Sequence, residues 1–163
     1  AYRGEKCEAK KTKLGDVYDM IKQIFYGTPE YDMAFQLRED VLRKPWGRKF
    51  DDDLTKEQEG IDTNWGYFQD GKLLCVGTLT PISEDIIKIR YLATSPEAQR
   101  KGYGKAVLAA MEEYARSQNY KQMVLESRVS AQEFYSKYGY QTEGEEYYPE
   151  FIHIPHIKMF KVL

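Results

Sequence analysis

The chain has 163 residues, 42% of them hydrophobic and 14% aromatic, with 31% charged residues of mixed sign and a formal charge of −2. That is enough apolar material for a full core without staples, and one domain is the default at this length. The composition excludes a disordered chain and a global basic field for nucleic acid, and its apolar runs of about five residues fall far short of the ~18 that span a membrane. Only Cys7 and Cys75 are present, far apart in sequence. They predict one tail thiol and one buried thiol rather than a disulfide framework or a zinc site. The basic stretch Ala1 to Lys13 lacks the apolar segment of a signal peptide, so a cytoplasmic protein is expected.

In chain order, residues 1–15 read as a flexible lead-in, and a single domain is expected over 16–163. Val17 to Tyr26 is rich in β-branched and aromatic residues and predicts a strand. Thr28-Pro29-Glu30 then predicts a helix start, with cap, first-turn proline and an acid at the positive end. Its core face carries Ala34, Leu37 and Val41, and it stops before Pro45-Trp46-Gly47. Residues 45–63 are polar, with the acidic run Asp51-Asp52-Asp53 ahead of a short helix expected at Leu54–Glu59. Strands follow at Trp65–Gln69 and Lys72–Thr80, joined by Asp70-Gly71, a hairpin dipeptide. Another strand is expected at Ile86–Thr94.

The pattern then changes to a helix over Gly102–Gln118, a strand at Gln122–Ser127, a helix over Ser130–Tyr138, and strands at Tyr140–Tyr148 and Ile152–Val162. The second half thus contains a strand–helix–strand unit, expected to be right-handed. The fold class is mixed α/β, with one central, mostly antiparallel sheet and flanking helices.

Gln99-Arg100-Lys101-Gly102-Tyr103-Gly104 follows a strand and opens a helix. Free backbone N–H groups at a helix start, together with the helix dipole, hold phosphate. Gly102 and Gly104 leave those groups uncovered, while Arg100, Lys101 and Lys105 add positive charge. A nucleotide-hydrolase loop needs Ser or Thr after Gly-Lys for Mg²⁺, but Ala106 stands there. A dinucleotide loop needs a third glycine, but Val107 stands there. The pattern Gln99-x-x-Gly102-x-Gly104 after Leu92-Ala93-Thr94 fits a third kind of loop. In these residues the chain resembles the GCN5-related N-acetyltransferases, whose pyrophosphate loop reads Gln/Arg-x-x-Gly-x-Gly/Ala.

Ala131, Tyr135, Gly139 and Tyr140 resemble the same family's fourth helix, Ala-x-x-x-Tyr-x-x-x-Gly-Phe/Tyr. Ile154-Pro155-His156-x-x-Met159 and Leu37-Arg38-x-x-Val41-Leu42 resemble a bacterial subgroup, the ElaA/YjcF-like acetyltransferases. The departures are Arg128, where many members carry Asn, and Arg90-Tyr91, where a Glu-Arg pair is expected.

The resemblance implies acetyl-CoA as cosubstrate, no metal, and an amine of a small molecule or peptide as acceptor. Pyrophosphate would meet Gln99, Arg100, Lys101, Gly102, Tyr103, Gly104 and Lys105. Pantetheine would pair with the backbone of Leu92, Ala93 and Thr94 as an added strand. Tyr135 would stabilise the leaving sulfur. Glu126 is the candidate base for an ammonium that is only about 0.1% neutral near pH 7.4; a surface salt bridge with Arg128 or Arg90 is its other reading. Arg38 and His156 are candidate substrate residues. His153 and His156, three apart in a strand, would face opposite sides and not share a metal. Phe134 and Tyr138 are expected in the core. Neither nucleic acid nor membrane is expected as partner, and the oligomeric state is open, a homodimer included. The alternative to an enzyme is a non-catalytic acyl-CoA sensor of the same fold.

Overall fold

The computed structural model describes residues 10–14, 17–47 and 60–163, with side chains described from Met20 onward. Cys7, the acidic run at 51–53 and the short helix expected at 54–59 lie outside the described residues. Two compact units divide the chain. One takes the described parts of Ala1–Thr78 with Tyr91–Met111, the other Leu79–Arg90 with Glu112–Leu163.

The first unit opens with β1 (Lys10–Leu14) and β2 (Val17–Ile24), antiparallel from Lys10↔Ile21 to Leu14↔Val17. β1 lies within the segment expected as a flexible lead-in. The outer edge of β2 offers a row of backbone donors and acceptors that any extended segment can satisfy, whatever its propensity. α1 (Pro29–Leu42) starts as its sequence predicts: Thr28 is extended, and its Oγ1 accepts the Tyr31 N–H at 3.3 Å. Tyr31, Ala34 and Arg38 are its buried residues, spaced three and four apart as one helix face requires. That face meets Ile24, Phe68, Leu73, Val76 and Ala93 in one core cluster.

β3 (Thr63–Gln69) and β4 (Lys72–Pro81) form the hairpin about Asp70-Gly71. Both turn residues have positive φ, 50° and 77°, which matches the right-handed twist of the strands. β5 (Ile86–Thr94) and α2 (Tyr103–Ser117) continue the chain. α2 packs closely on β4 at Gly77, where an added Cβ would lie 2.5 Å from Met111 Sδ.

In the second unit, β5 runs parallel to β6 (Gln122–Arg128), from Ile86↔Gln122 to Ile89↔Leu125. α2 is the crossover that a parallel pair needs. β6 pairs antiparallel with β8 (His156–Val162), and β8 with β7 (Gln141–Tyr147). β8 begins at His156 rather than at the expected Ile152, because Pro155 has no N–H for a ladder. α3 is Gln132–Lys137, entered through a 3-10 turn at Val129–Ala131 and stopped by Gly139 at φ 93°. It is shorter than the expected Ser130–Tyr138, and Tyr138 is its C-cap.

Glu112 of α2 ties this unit together. It accepts Tyr140 Oη at 3.0 Å and Lys161 Nζ at 3.1 and 3.0 Å, and Lys161 also donates to Tyr138 O at 2.8 Å. Burial, then the Glu112 charge, raises the Tyr140 phenol far above its ordinary range, so it stays a donor. The eight strands take the order β1-β2-β3-β4-β5-β6-β8-β7 in a mostly antiparallel sheet, the mixed α/β architecture expected from the sequence.

Candidate active site

The loop between β5 and α2 is built by local backbone geometry. Ser95 N–H donates to Leu74 O at 2.8 Å and anchors the end of β5. A 3-10 turn at Pro96–Ala98 follows, then Gln99 in extended geometry. Arg100 has φ 63° and Gly102 φ 86°. The chain therefore turns through two left-handed residues directly before the helix, a shape that gathers successive N–H groups on one side. Ala106 N–H donates to Gly102 O at 3.1 Å. The amides of the first helical turn thus have no acceptor four residues earlier inside the helix, and they carry the positive end of its dipole.

Gln99, Arg100, Lys101 and Lys105 are exposed around this turn. Tyr103 differs: it is only 8% exposed, and its ring lies 4.5 Å from that of Tyr67. Its ring anchors the helix start in the core.

Leu92, Ala93 and Thr94 lie in β5 beyond the last β6 partner, Ile89↔Leu125. On its other side β6 pairs with β8 along its whole length, from Gln122↔Val162 to Arg128↔His156. The Thr94 hydroxyl donates to Cys75 Sγ at 3.4 Å. Cys75 is the expected buried thiol; burial pushes it up to about 11, so it is neither nucleophile nor ligand at neutral pH.

Arg38 is fully buried in the first unit. Its Nη1 donates to Thr78 Oγ1 at 3.4 Å, and Thr78 donates to Asn64 Oδ1 at 2.7 Å. Its guanidinium stands 5.1 Å from the Tyr91 ring, and that of Arg43, also buried, 5.7 Å from the same ring. Arg43 was not singled out in the sequence, where it reads as an ordinary helix-end cation.

In the second unit, Tyr135 is the buried tyrosine of α3, 8% exposed, while Phe134 and Tyr138 are half-buried. The expected core assignment of Phe134 and Tyr138 is thus only partly met, because α3 ends before Tyr138. The Tyr135 ring stands edge-on to Phe134 at 5.1 Å and to Tyr140 at 5.7 Å. It therefore rests on the Glu112–Tyr140–Lys161 network.

Glu126 pairs with Lys88 at 3.2 Å, not with Arg128 or Arg90. The parallel register explains this: Lys88 is opposite Val124, so it shares a face with Glu126. Burial raises the Glu126 carboxyl, but Lys88, Tyr147 and Lys158 outweigh it and hold the group below the usual carboxylate range. A lowered pKa makes a weaker base. Tyr147 Oη is buried without a partner at full hydrogen-bond geometry, yet close enough to Glu126 that burial and the carboxylate push the phenol up to about 12.

His156 is buried and pairs by register with Arg128 on one side and Tyr147 on the other. Its Nδ1 lies 2.7 Å from Ile154 O. His153 falls outside β8 and stacks on Tyr148 at 4.4 Å. The strand-face argument against a shared metal therefore does not apply to it. Lys88, Tyr147 and Lys161 carried no sequence signal, since each acts through a partner at least 21 residues away on another strand or helix.

The profile of the acetyltransferase (GNAT) family matches residues 31–140. An uncharacterised acetyltransferase from the arcA 3′ region of Streptococcus pyogenes is 44% identical over 46 residues, 28% of this chain and 32% of that protein. The match thus spans about a third of that relative's length. Among solved structures, a candidate N-acetyltransferase of Lactobacillus plantarum superposes with a TM-score of 0.76 at 22% identity, over 88% of this chain and 98% of that one. An aminoglycoside 6′-N-acetyltransferase complexed with coenzyme A gives 0.73 at 14% identity, over 87% and 96%. A GNAT family acetyltransferase of Elizabethkingia anophelis with acetyl-CoA bound gives 0.66 at 19%, over 89% and 98%.

Proposed function

The chain belongs to the acetyltransferase (GNAT) family, and from that premise we propose that it transfers the acetyl group of acetyl-CoA to a primary amine of a small molecule or peptide, by direct attack of the amine on the thioester. The observation that carries the reading is the turn through left-handed Arg100 and Gly102 into α2, beside three exposed cations. Pyrophosphate would sit on the amides of Gly102, Tyr103 and Gly104, with Gln99, Arg100, Lys101 and Lys105 around it. Pantetheine would lie along Leu92, Ala93 and Thr94 as an added strand. Two of the three solved neighbours compared hold CoA or acetyl-CoA, which supports the same cosubstrate here.

Tyr135 would meet the sulfur as it leaves. A phenol near 10 is a slightly weaker acid than a thiol near 8.5, so a hydrogen bond to the developing sulfur charge is the larger contribution. Arg38 and His156 would serve on the acceptor side. The closing segment Ile154-Pro155-His156-x-x-Met159 supports placement in the ElaA/YjcF-like subgroup. A single domain over 16–163 and a cytoplasmic location complete the reading.

A non-catalytic CoA sensor is the second reading, and the Glu126–Lys88 pair favours it, because it leaves that carboxylate a poor base. Calorimetric titration with CoA, run beside turnover of acetyl-CoA with a panel of primary amines, separates the two. Binding with turnover supports the enzyme; binding without turnover supports the sensor; no binding sinks both.

A further inference from the structure

The strand registers of the second unit sort its residues onto two sheet faces. Tyr140 Oη reaches Met123 Sδ at 3.8 Å and Glu112 of α2 at 3.0 Å, so α2 packs on the Met123 face. Tyr135 of α3 lies against Tyr140 on that face too. The other face carries three rows across the strands. Gln122 and Val162 form the first, with Ile86 beside Gln122. Val124, Phe160 and Gln141 form the second. Glu126, Lys158 and Glu143 form the third, and Lys88 reaches into it from β5, with its Nζ 3.2 Å from Glu126 Oε2. This face is open to solvent. Val162 is 72% exposed, and Glu126, Lys158, Gln141 and Glu143 are exposed as well, while Ile86, Lys88, Val124 and Phe160 are part-exposed.

We propose that a second copy of this chain docks on this face, about a two-fold axis parallel to the strands. Across the strands the third row runs Lys88, Glu126, Lys158, Glu143, with charges plus, minus, plus, minus. An axis parallel to the strands, passing between β6 and β8, keeps each row at its own level and reverses the order of the strands. Lys88 then faces the second copy's Glu143, and Glu126 faces its Lys158. Every charge of the row meets its opposite. In the neighbouring row Val124 meets the second copy's Phe160, apolar against apolar. An axis running across the strands would set Glu126 against Glu126 and Lys158 against Lys158, so the charge order selects one packing and rejects the other. The selected one is also the aligned arrangement that two twisted sheets adopt, with strands about 30° apart.

Four strands about 4.8 Å apart, over seven residues of about 3.3 Å each, give a face of roughly 19 by 23 Å, at the small end of specific interfaces. The dimer is therefore reversible, with a dissociation constant in the micromolar range.

Sedimentation velocity on the whole chain at low ionic strength tests this, over about 1 to 500 μM. A dimer that forms with concentration and weakens as salt is added is expected. A wild type that stays monomeric throughout overturns the proposal. Glu126→Lys and Lys158→Glu each put a like-charge contact into the dimer twice, and each alone should weaken it at least about tenfold. Mixed together, the two variants should form a heterodimer of wild-type affinity, because each supplies the charge the other lacks. A purely structural effect of either substitution would not be repaired by mixing. Dimers that survive unchanged in both single variants place the contact elsewhere, and a mixture that stays monomeric removes the two-fold pairing; either result overturns the proposal. Both positions are exposed, so the fold should survive, which the melting temperature of each variant checks. Should one of them fail to fold, Glu143→Lys mixed with Lys88→Glu repeats the exchange at the outer contact. The readout needs neither CoA nor an acceptor, so its failure leaves the acetyl-transfer reading standing.

Discussion

The turn at Gln99–Gly104 and the sheet face of Glu126, Tyr147 and His156 are built from different parts of the chain. The turn presents main-chain amides, set by two left-handed residues and a helix start. Its side chains are largely interchangeable, but its φ angles and its lack of Cβ atoms are not. The sheet face presents side-chain atoms brought together by strand register, from β5, β6, β7 and β8. There the backbone is ordinary and residue identity is what matters. The first kind of site should fail by geometry, with affinity lost; the second by chemistry, with rate lost and affinity kept.

The largest effect is expected from Tyr135→Phe, which keeps the ring and removes the hydroxyl. It should lower kcat about 10- to 1000-fold, ~1.4–4 kcal/mol, with CoA affinity nearly unchanged. Tyr138→Phe, on a half-buried residue at the helix cap, should alter the melting temperature more than kcat. Steady-state kinetics on both variants decide it, and a wild-type kcat in Tyr135→Phe removes that residue from the chemistry. Gly104→Val comes next. A β-branched side chain at the phosphate should weaken CoA at least about tenfold while the fold survives, read by calorimetry. An unchanged dissociation constant in the folded variant breaks the loop assignment.

A smaller effect is expected from Gly102→Ala. No atom lies within 4 Å of the added Cβ, but φ is 86°, so the cost is the left-handed penalty of roughly 1–2 kcal/mol rather than a clash. CoA affinity should fall less than for Gly104→Val, and a larger fall would mean that the phosphate crowds the Cα of Gly102 more than that of Gly104. The smallest is Lys88→Met. The Glu126 carboxyl should move back up toward its ordinary value, followed by carboxyl-carbon NMR. A carboxyl held low contributes stability that is present above its unfolded pKa and lost as pH falls through the folded one. The variant should therefore lose less stability on acidification than the wild type. The pair is part-exposed, 28% and 41%, so the stability change should stay within about 1 kcal/mol.

These differences also explain what could be read from the chain alone. The turn is contiguous, so Gly102, Gly104 and the flanking cations announce it, as Thr28-Pro29 announces α1 and Asp70-Gly71 its hairpin. The burial of the Tyr103 ring beside Tyr67 was not legible in that stretch, because it depends on a strand far away in sequence. The partner of Glu126 depends on which residues of β5 and β6 stand side by side, and a one-residue slip changes it. Lys161 meets Glu112 across 49 residues, a distance no local pattern spans. β1 was missed because its ladder is an offer from β2 rather than a preference of Lys10–Leu14.

Cys75 supplies a clock for the same region. Its thiol is buried, held up to about 11, and covered by the Thr94 hydroxyl at the end of β5. In the intact fold a thiol reagent has neither a thiolate to attack nor a path to it, so alkylation reports how often β4 and β5 part. In a Cys7→Ser background the modification rate measures that opening alone. A ligand that lies along Leu92–Thr94 and binds only the closed form should slow the rate in proportion to its saturation. The buried sulfur thus turns occupancy of a neighbouring strand into a chemical rate, without a labelled cofactor or a known acceptor.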